Sequence, residues 1–375
     1  MARTHHLLLV PGFFGFANLG DFAYFGHVRE YLAEIAPALG LRGQVRVVDT
    51  VPTASLAKRA VTLAKAIAEV CESEPGDVSI VGHSSGGLDA RLAVTPDVVL
   101  PAPFEVEPLA RRVRAVVTVA TPHFGTPLAH LFNSMLGQQL LKVLSVGTMH
   151  AVRAGRLPIR IVLRLARLFR RRAAPSGLPE QLLVELLADF SRDRRREIEA
   201  FLTSLGDDQD LVGQLTPAGM ELFNASTEDR PGVRYGCVVT RARPPGLRSA
   251  LAAGLDPYAH ATHILFIALH RLAGGMPRER LASLNRAQAA TLRLAFGRRL
   301  PAPDANDGIV PTLSQVRGNV VAAVWADHHD VIGHFHGPSH VPPHFDWLAS
   351  GTGFDRHQFE AVWREVAAYV AGAGA

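Results

Sequence analysis

The chain has 375 residues, 48% of them hydrophobic and 19% charged, which supplies a large buried core and excludes wholesale disorder. Its net charge of +5 is concentrated, since residues 151–200 carry twelve Arg against six Asp and Glu, whereas a nucleic-acid binder spreads basic residues over a whole face. No run of about 20 uncharged apolar residues could span a membrane, and the apolar run Leu7 to Val10 is too short for a signal-peptide core, so a cytoplasmic protein is expected.

Taken in order, residues 6–10 read as a buried strand followed by a Gly-rich loop, and 25–39 follow helical spacing. Residues 44–50 form a strand, 54–73 a helix, 77–82 a strand, 84–94 the start of a helix and 113–121 a strand. β-Branched runs alternating with helical patterns predict an α/β protein, with a mostly parallel sheet covered on both faces. From about 127 to 230 the pattern is almost wholly helical. Strands resume at 233–240 and 319–327, a second helical insert fills about 247–298, and 356–372 form a closing helix. One sheet interrupted by helical inserts predicts a single domain over 1–375 that carries a helical cap. Cys71 and Cys237, far apart and without metal-type spacing, read as small core residues.

Gly82-His83-Ser84-Ser85-Gly86 is a G-x-S-x-G sequence between a predicted strand and a predicted helix, the context that gives the motif meaning. A sharp turn requires small residues two before and two after the nucleophile. Ser84 has Gly82 and Gly86 there, while Ser85 would have His83, so Ser84 is selected. An oxyanion needs N–H donors aimed at it. The backbone N–H of Ser85 supplies one, and the loop Val10 to Gly15 is positioned for the second, through Phe13. A serine hydroxyl also needs a base, usually a His oriented by a carboxylate, in the chain order Ser, acid, His. Asn306-Asp307-Gly308 offers Asp307, with Asp304 as rival. Asp327-His328-His329-Asp330 offers His328, with His329 as competitor. His334, His336, His340 and His344 follow without regular ligand spacing, so no metal site is predicted from them.

These segments resemble the bacterial triacylglycerol lipases of the true-lipase type. The resemblance rests on Gly82 to Arg91, Val117 to Pro127, Leu215 to Pro217 with Phe223-Asn224 and Gly232 to Tyr235, Asn306 to Pro311, and Asp327 to Asp330. It implies an α/β-hydrolase fold, Ser84, Asp307 and His328 as the triad, and Phe13 and Ser85 as oxyanion donors. It favours His328 over His329, because one residue and then Asp follow it. Pro11 stands where that family has His. Secreted members carry a disulfide and a Ca²⁺ site. Neither Cys falls where the bridge would lie, and Asp330 matches one calcium-ligand position while His334 stands at that of an oxygen ligand. Calcium prefers oxygen, so an enzyme without a cofactor is expected, with Ca²⁺ left open.

Residues 156–172 form a basic amphipathic helix, with Arg156, Arg160, Arg164, Arg167 and Arg171 in one stripe and Ile161, Val162, Leu165, Leu168 and Phe169 opposite. Two readings follow: a cap helix with a solvated Arg face, or peripheral contact with an anionic membrane. The function expected is hydrolysis of carboxylic esters with apolar acyl groups through an acyl-enzyme. Acyl transfer and polyester depolymerisation on the same scaffold remain alternatives, as does a non-catalytic lipid- or protein-binding module. The residues that bind substrate and the oligomeric state are not readable from the sequence.

Overall fold

The sheet forms where the sequence has its densest β-branched runs. The computed structural model describes residues 4–13, 24–132, 159–170, 178–188, 210–252 and 256–372, together with 143, 146, 190–193, 195, 196, 198 and 199. Six strands, β1 His5–Val10, β2 Val45–Val47, β3 Asp77–His83, β4 Val113–Val119, β5 Arg234–Arg241 and β6 Asn319–Trp325, pair in parallel in the order β2-β1-β3-β4-β5-β6. β1 and β3 are buried at every position. Successive residues serve opposite cores. Leu7, Leu9, Val81 and Val117 join Val28, Leu32, Trp363 and Val366 on one face. Leu8, Val10, Ile80 and Val116 join Ala60, Leu63, Ile67 and Ala90 on the other. Both faces of the sheet are therefore covered, and each fully buried Leu or Val contributes about 1.5–3 kcal/mol.

Helices α1 Gly26–Ile35 and α2 Leu56–Ser73 flank the first strands, and α3 Gly86–Val94 follows β3. α2 begins where Ser55 accepts the Lys58 N–H, a side-chain N-cap. A short turn of helix, α4 Glu107–Ala110, precedes β4. Between β4 and β5 the described helices are α5 Leu128–Phe132, α6 Ile159–Arg170, α7 Leu178–Ala188, α8 Asp210–Gln214 and α9 Pro217–Ser226. Between β5 and β6 stand α10 Leu247–Ala252, α11 Pro257–Ala273 and α12 Arg286–Phe296. The closing helix, α13 Arg356–Ala371, starts at a capping box of Asp355 and Gln358. Trp363 of α13 fixes it to the loop after β6, its indole N–H donating to the Val331 carbonyl at 2.8 Å. β2, β4 and β6 are shorter than the predicted runs, β2 covering three of seven residues, while β1 and β3 each extend one residue further.

α6 is the predicted basic amphipathic helix. Its Ile161, Val162 and Leu165 are buried, and Arg160 and Arg164 both pair with Glu185 of α7. The side chains of 166–170, and residues 156–158, 171 and 172, lie outside the described residues. Of the predicted Arg stripe, the two described members are thus engaged with a neighbouring helix. Both cysteines are free, Cys237 buried and Cys71 half-buried. Among the described residues no helix is long and apolar enough to cross a membrane.

Candidate active site

Ser84 comes directly after β3, with a φ of +54°. For a residue with a Cβ this left-handed conformation costs roughly 1–2 kcal/mol, and it turns the side chain up from the end of the strand. Glycines make the turn sterically feasible. A Cβ on Gly82 would lie 2.4 Å from the Gly86 carbonyl and the Gly87 nitrogen, and one on Gly86 would lie 2.2 Å from the Val10 carbonyl oxygen. Gly12, from the loop after β1, approaches so closely that a Cβ there would lie 2.5 Å from Ser84 Cβ and 3.1 Å from Ser84 Oγ. Ser85 is the N-cap residue of α3, so its backbone N–H stands at the start of that helix.

Asp307 and His328 meet across the ends of β5 and β6. His328 Nδ1 is 2.9 Å from Asp307 Oδ2, and the His328 backbone N–H donates to the Asp307 carbonyl. Asp307 is buried, and four further donors reach its carboxylate. Ile309 N–H and Val310 N–H bond Oδ1 at 2.9 and 2.7 Å, and Thr240 Oγ1 and Gln315 Nε2 bond Oδ2 at 2.8 and 3.1 Å. Because a carboxylate only accepts, His328 Nδ1 carries the proton, and Nε2 is the nitrogen left for a substrate-side partner. The rivals stand differently: His329 lines the same cavity, with its ring 5.3 Å from that of His328. Asp304 is exposed, and the ring of His329 stands against Trp347 at 5.1 Å.

The loop carrying Phe13 is held from two sides. Arg59 Nη2 donates to the Pro11 carbonyl at 2.7 Å, and the same guanidinium pairs with Asp89 of α3 through Nε and Nη2. Its Nη1 reaches the carbonyls of Val51 and Pro52. Arg59 and Asp89 are both fully buried. Burial pushes the Asp89 carboxyl up to about 6, against the pull of Arg59. On the other side, the Gly12 N–H lies 3.3 Å from Tyr24 Oη, Tyr24 Oη lies 2.6 Å from His83 Nδ1, and His83 Nε2 lies 2.9 Å from the His328 carbonyl. That carbonyl can only accept, so His83 Nε2 carries the proton and Nδ1 is bare. Tyr24 therefore donates to His83 and accepts from Gly12. Burial holds the His83 ring neutral, well below the usual imidazole range. A single directed chain of hydrogen bonds thus links the Phe13 loop, the serine turn and the backbone of His328. Tyr24 and Arg59 supply the support that Pro11, lacking a polar side chain, does not. Phe14 and Gly15 of the predicted loop lie outside the described residues.

The Thr121-Pro122-His123 stretch also acquires a structural role. His123 bonds Thr118 Oγ1 at 3.0 Å and Arg91 at 3.3 Å, and its carbonyl accepts from Asn224 Nδ2 at 2.7 Å. These bonds fasten β4 to α3 and α9.

Ser84, His328 and Phe13 line one cavity of about 130 Å³. Its other walls are chiefly apolar, with Phe132 of α5, Leu165 of α6, Val212 of α8, and Leu265 and Leu269 of α11. Beside it lies an acidic cluster. One carboxylate oxygen each from Asp327, Asp330 and Asp346 falls within 4.8 Å of the others. Asp327 and Asp330 are buried, and burial followed by mutual repulsion raises the carboxyls of Asp330 and Asp346. Among the described residues Asp327 Oδ2 finds no hydrogen-bond donor. Backbone N–H groups and Thr352 reach other oxygens of these carboxylates, a buried carboxylate oxygen left over is costly, and the oxygen-rich donor set suits a hard divalent cation. The resemblance to the lipases places Asp330 at a calcium-ligand position. Asp346 brings the further oxygen, while His334 stacks on Trp347 at 3.9 Å.

Comparison with known proteins gives the same architecture. Residues 53–156 match the family described as "Putative serine esterase (DUF676)". No curated protein sequence matches the chain. Lipase 1 from Pelosinus fermentans is similar in structure, at TM-score 0.55 and 15% identity over 97% of this chain and 99% of that one. EstA from Clostridium botulinum aligns at TM-score 0.54 and 18% identity over 99% and 88%, and the Staphylococcus hyicus lipase at 0.50 and 16% over 98% and 96%. The chain has the α/β-hydrolase fold.

Tyr24→Phe would leave the Gly12 N–H and His83 Nδ1 unpaired. It is expected to destabilise the protein by about 1–3 kcal/mol, read as a lower urea midpoint at unchanged slope, and to lower kcat on a short nitrophenyl ester. Unchanged kcat would show that the loop does not depend on this bond.

Proposed function

We propose that the protein is a serine carboxylic-ester hydrolase acting on esters of apolar acids, with Ser84 as nucleophile, His328 as base and Asp307 as orienting acid. The observation that carries the reading is the His328–Asp307 pair opening on the same apolar cavity as a serine held at positive φ. The matched serine-esterase segment, which contains Ser84, and the lipase and esterase neighbours support it.

In this mechanism the ester enters with its acyl chain among Phe132, Leu265 and Leu269. Ser84 Oγ attacks the carbonyl as His328 Nε2 takes its proton. Asp307, already bonded by four other donors, keeps the ring in the Nδ1–H tautomer and stabilises the imidazolium. The N–H groups of Phe13 and Ser85 meet the oxyanion, whose stabilisation is usually the largest single contribution. His328 then gives its proton to the leaving alcohol, and water, activated by the same ring, releases the acid. In this reading the helices between β4 and β5 form a cap. Leu165 brings the apolar face of α6 over the cavity, so movement of α6 would control substrate entry.

Hydrolysis of nitrophenyl esters of increasing chain length tests the activity. Wild type is expected to turn over apolar acyl esters, and Ser84→Ala to lose about 10⁶-fold in kcat. Near-wild-type turnover by Ser84→Ala would end the assignment.

We further propose that Asp327, Asp330 and Asp346 hold Ca²⁺, a role supported by the unbonded Asp327 oxygen and by the proximity of three carboxyls. Bound there, the ion would supply positive charge to the loop that carries His328. Adding Ca²⁺ to chelator-stripped protein is expected to raise Tm in wild type and to have no effect in Asp346→Asn. Equal Tm with and without Ca²⁺ in wild type would refute the site.

A further inference from the structure

Away from the serine and the acidic cluster, three histidines distant in sequence converge. His27 lies in the first turn of α1, and His340 and His344 lie in the segment between β6 and α13. One ring nitrogen from each falls within 4.8 Å of the other two. Their ring centroids are 3.6 Å apart for His27 and His344, 4.9 Å for His340 and His344, and 5.6 Å for His27 and His340.

Each ring is oriented by a backbone carbonyl. His340 Nδ1 lies 2.7 Å from the Pro342 carbonyl and His344 Nδ1 lies 2.6 Å from the Gly333 carbonyl. A carbonyl only accepts, so both Nδ1 atoms carry protons and both Nε2 atoms are bare. His27 bonds the backbone of Pro343, which has no N–H, and its Nδ1 is buried without a partner. The proton therefore sits on His27 Nε2, and Nδ1 is bare. Each imidazole thus gives one nitrogen to a carbonyl and keeps a lone pair on the other. That is the outer-shell arrangement that fixes metal-binding histidines. Of these nitrogens, His27 Nδ1 is buried with no hydrogen-bond partner among the described residues.

A carboxylate stands ready beside them. Glu30 Oε2 is 3.8 Å from His27 Nδ1, and Glu30, Glu34 and Glu360 border the same cavity of about 200 Å³. We propose that His27, His340 and His344 form a site for Zn²⁺ or a similar borderline divalent cation, with Glu30 or water as fourth ligand. Three imidazoles and one oxygen suit such a cation better than Ca²⁺. Tetrahedral zinc–nitrogen bonds of about 2.0–2.1 Å would require the three nitrogens to draw closer and the stacked His27 and His344 rings to turn apart. The ion would tie α1 to the segment that follows His328, so its role is structural.

The test is retention of Zn²⁺ by the full chain in the presence of excess Ca²⁺, which occupies the oxygen-rich cluster. Bound metal is counted by atomic emission after desalting, with Tm measured in parallel. One Zn²⁺ per chain with a raised Tm is expected for wild type and for Asp346→Asn. Affinity should fall by about 10–100-fold or more in His340→Ala and in His27→Ala. Since His340 is only half-buried, that variant should keep its fold and its ester hydrolysis. No retained Zn²⁺ in wild type, equal retention in the two His variants, or loss in Asp346→Asn would overturn the proposal.

Discussion

Everything at the candidate site depends on one close approach: the backbone of Gly12 lying against Ser84 while Ser84 holds a left-handed φ. Three chain segments meet there, the end of β1, the turn after β3 and the start of α3, at distances that leave no room for a Cβ on Gly12, Gly82 or Gly86. The strain at Ser84 persists because its surroundings over-determine it. A buried parallel sheet fixes the strand ends. The Arg59–Asp89 pair joins α2 to α3 and holds the Pro11 carbonyl. The site therefore lies at the carboxyl ends of the strands, where open α/β sheets bind ligands.

The second constraint is directional. From Gly12 through Tyr24 and His83 to the His328 carbonyl, each hydrogen bond runs one way, because it ends on a group that can only accept. Burial keeps His83 neutral, and this order leaves it a positioning residue beside the serine. His328 is oriented independently, through Asp307 and its four other donors. Two imidazoles with rings 4.7 Å apart thus have separate roles because their partners differ.

Much of this was legible in the sequence. The run His6 to Val10, the Gly82–Gly86 turn and the Asp-Gly at 307–308 are local signals. That Asp307 and His328 meet accords with chain order, since Asp307 lies between β5 and β6 and His328 just after β6. The partners of these residues were not legible. Tyr24, Thr240 and Gln315 reach the site through long-range packing, and nothing around Tyr24 distinguishes it from any aromatic residue before a helix. Asp346 joins Asp327 and Asp330 only through the path of the loop after β6. The histidines at 340 and 344 show no regular ligand spacing in the sequence, because their third companion, His27, lies more than three hundred positions earlier. Residues 156–158, 171 and 172 of the predicted basic helix, and the Leu168 and Phe169 side chains, lie outside the described residues.

The most direct measurement is labelling with an organophosphate nitrophenyl ester, followed by peptide mass spectrometry. The account expects one adduct per chain, located on Ser84, and slowed by orders of magnitude in His328→Ala with the fold intact. No adduct, an adduct on Ser85, or unchanged labelling without the His328 ring would contradict it.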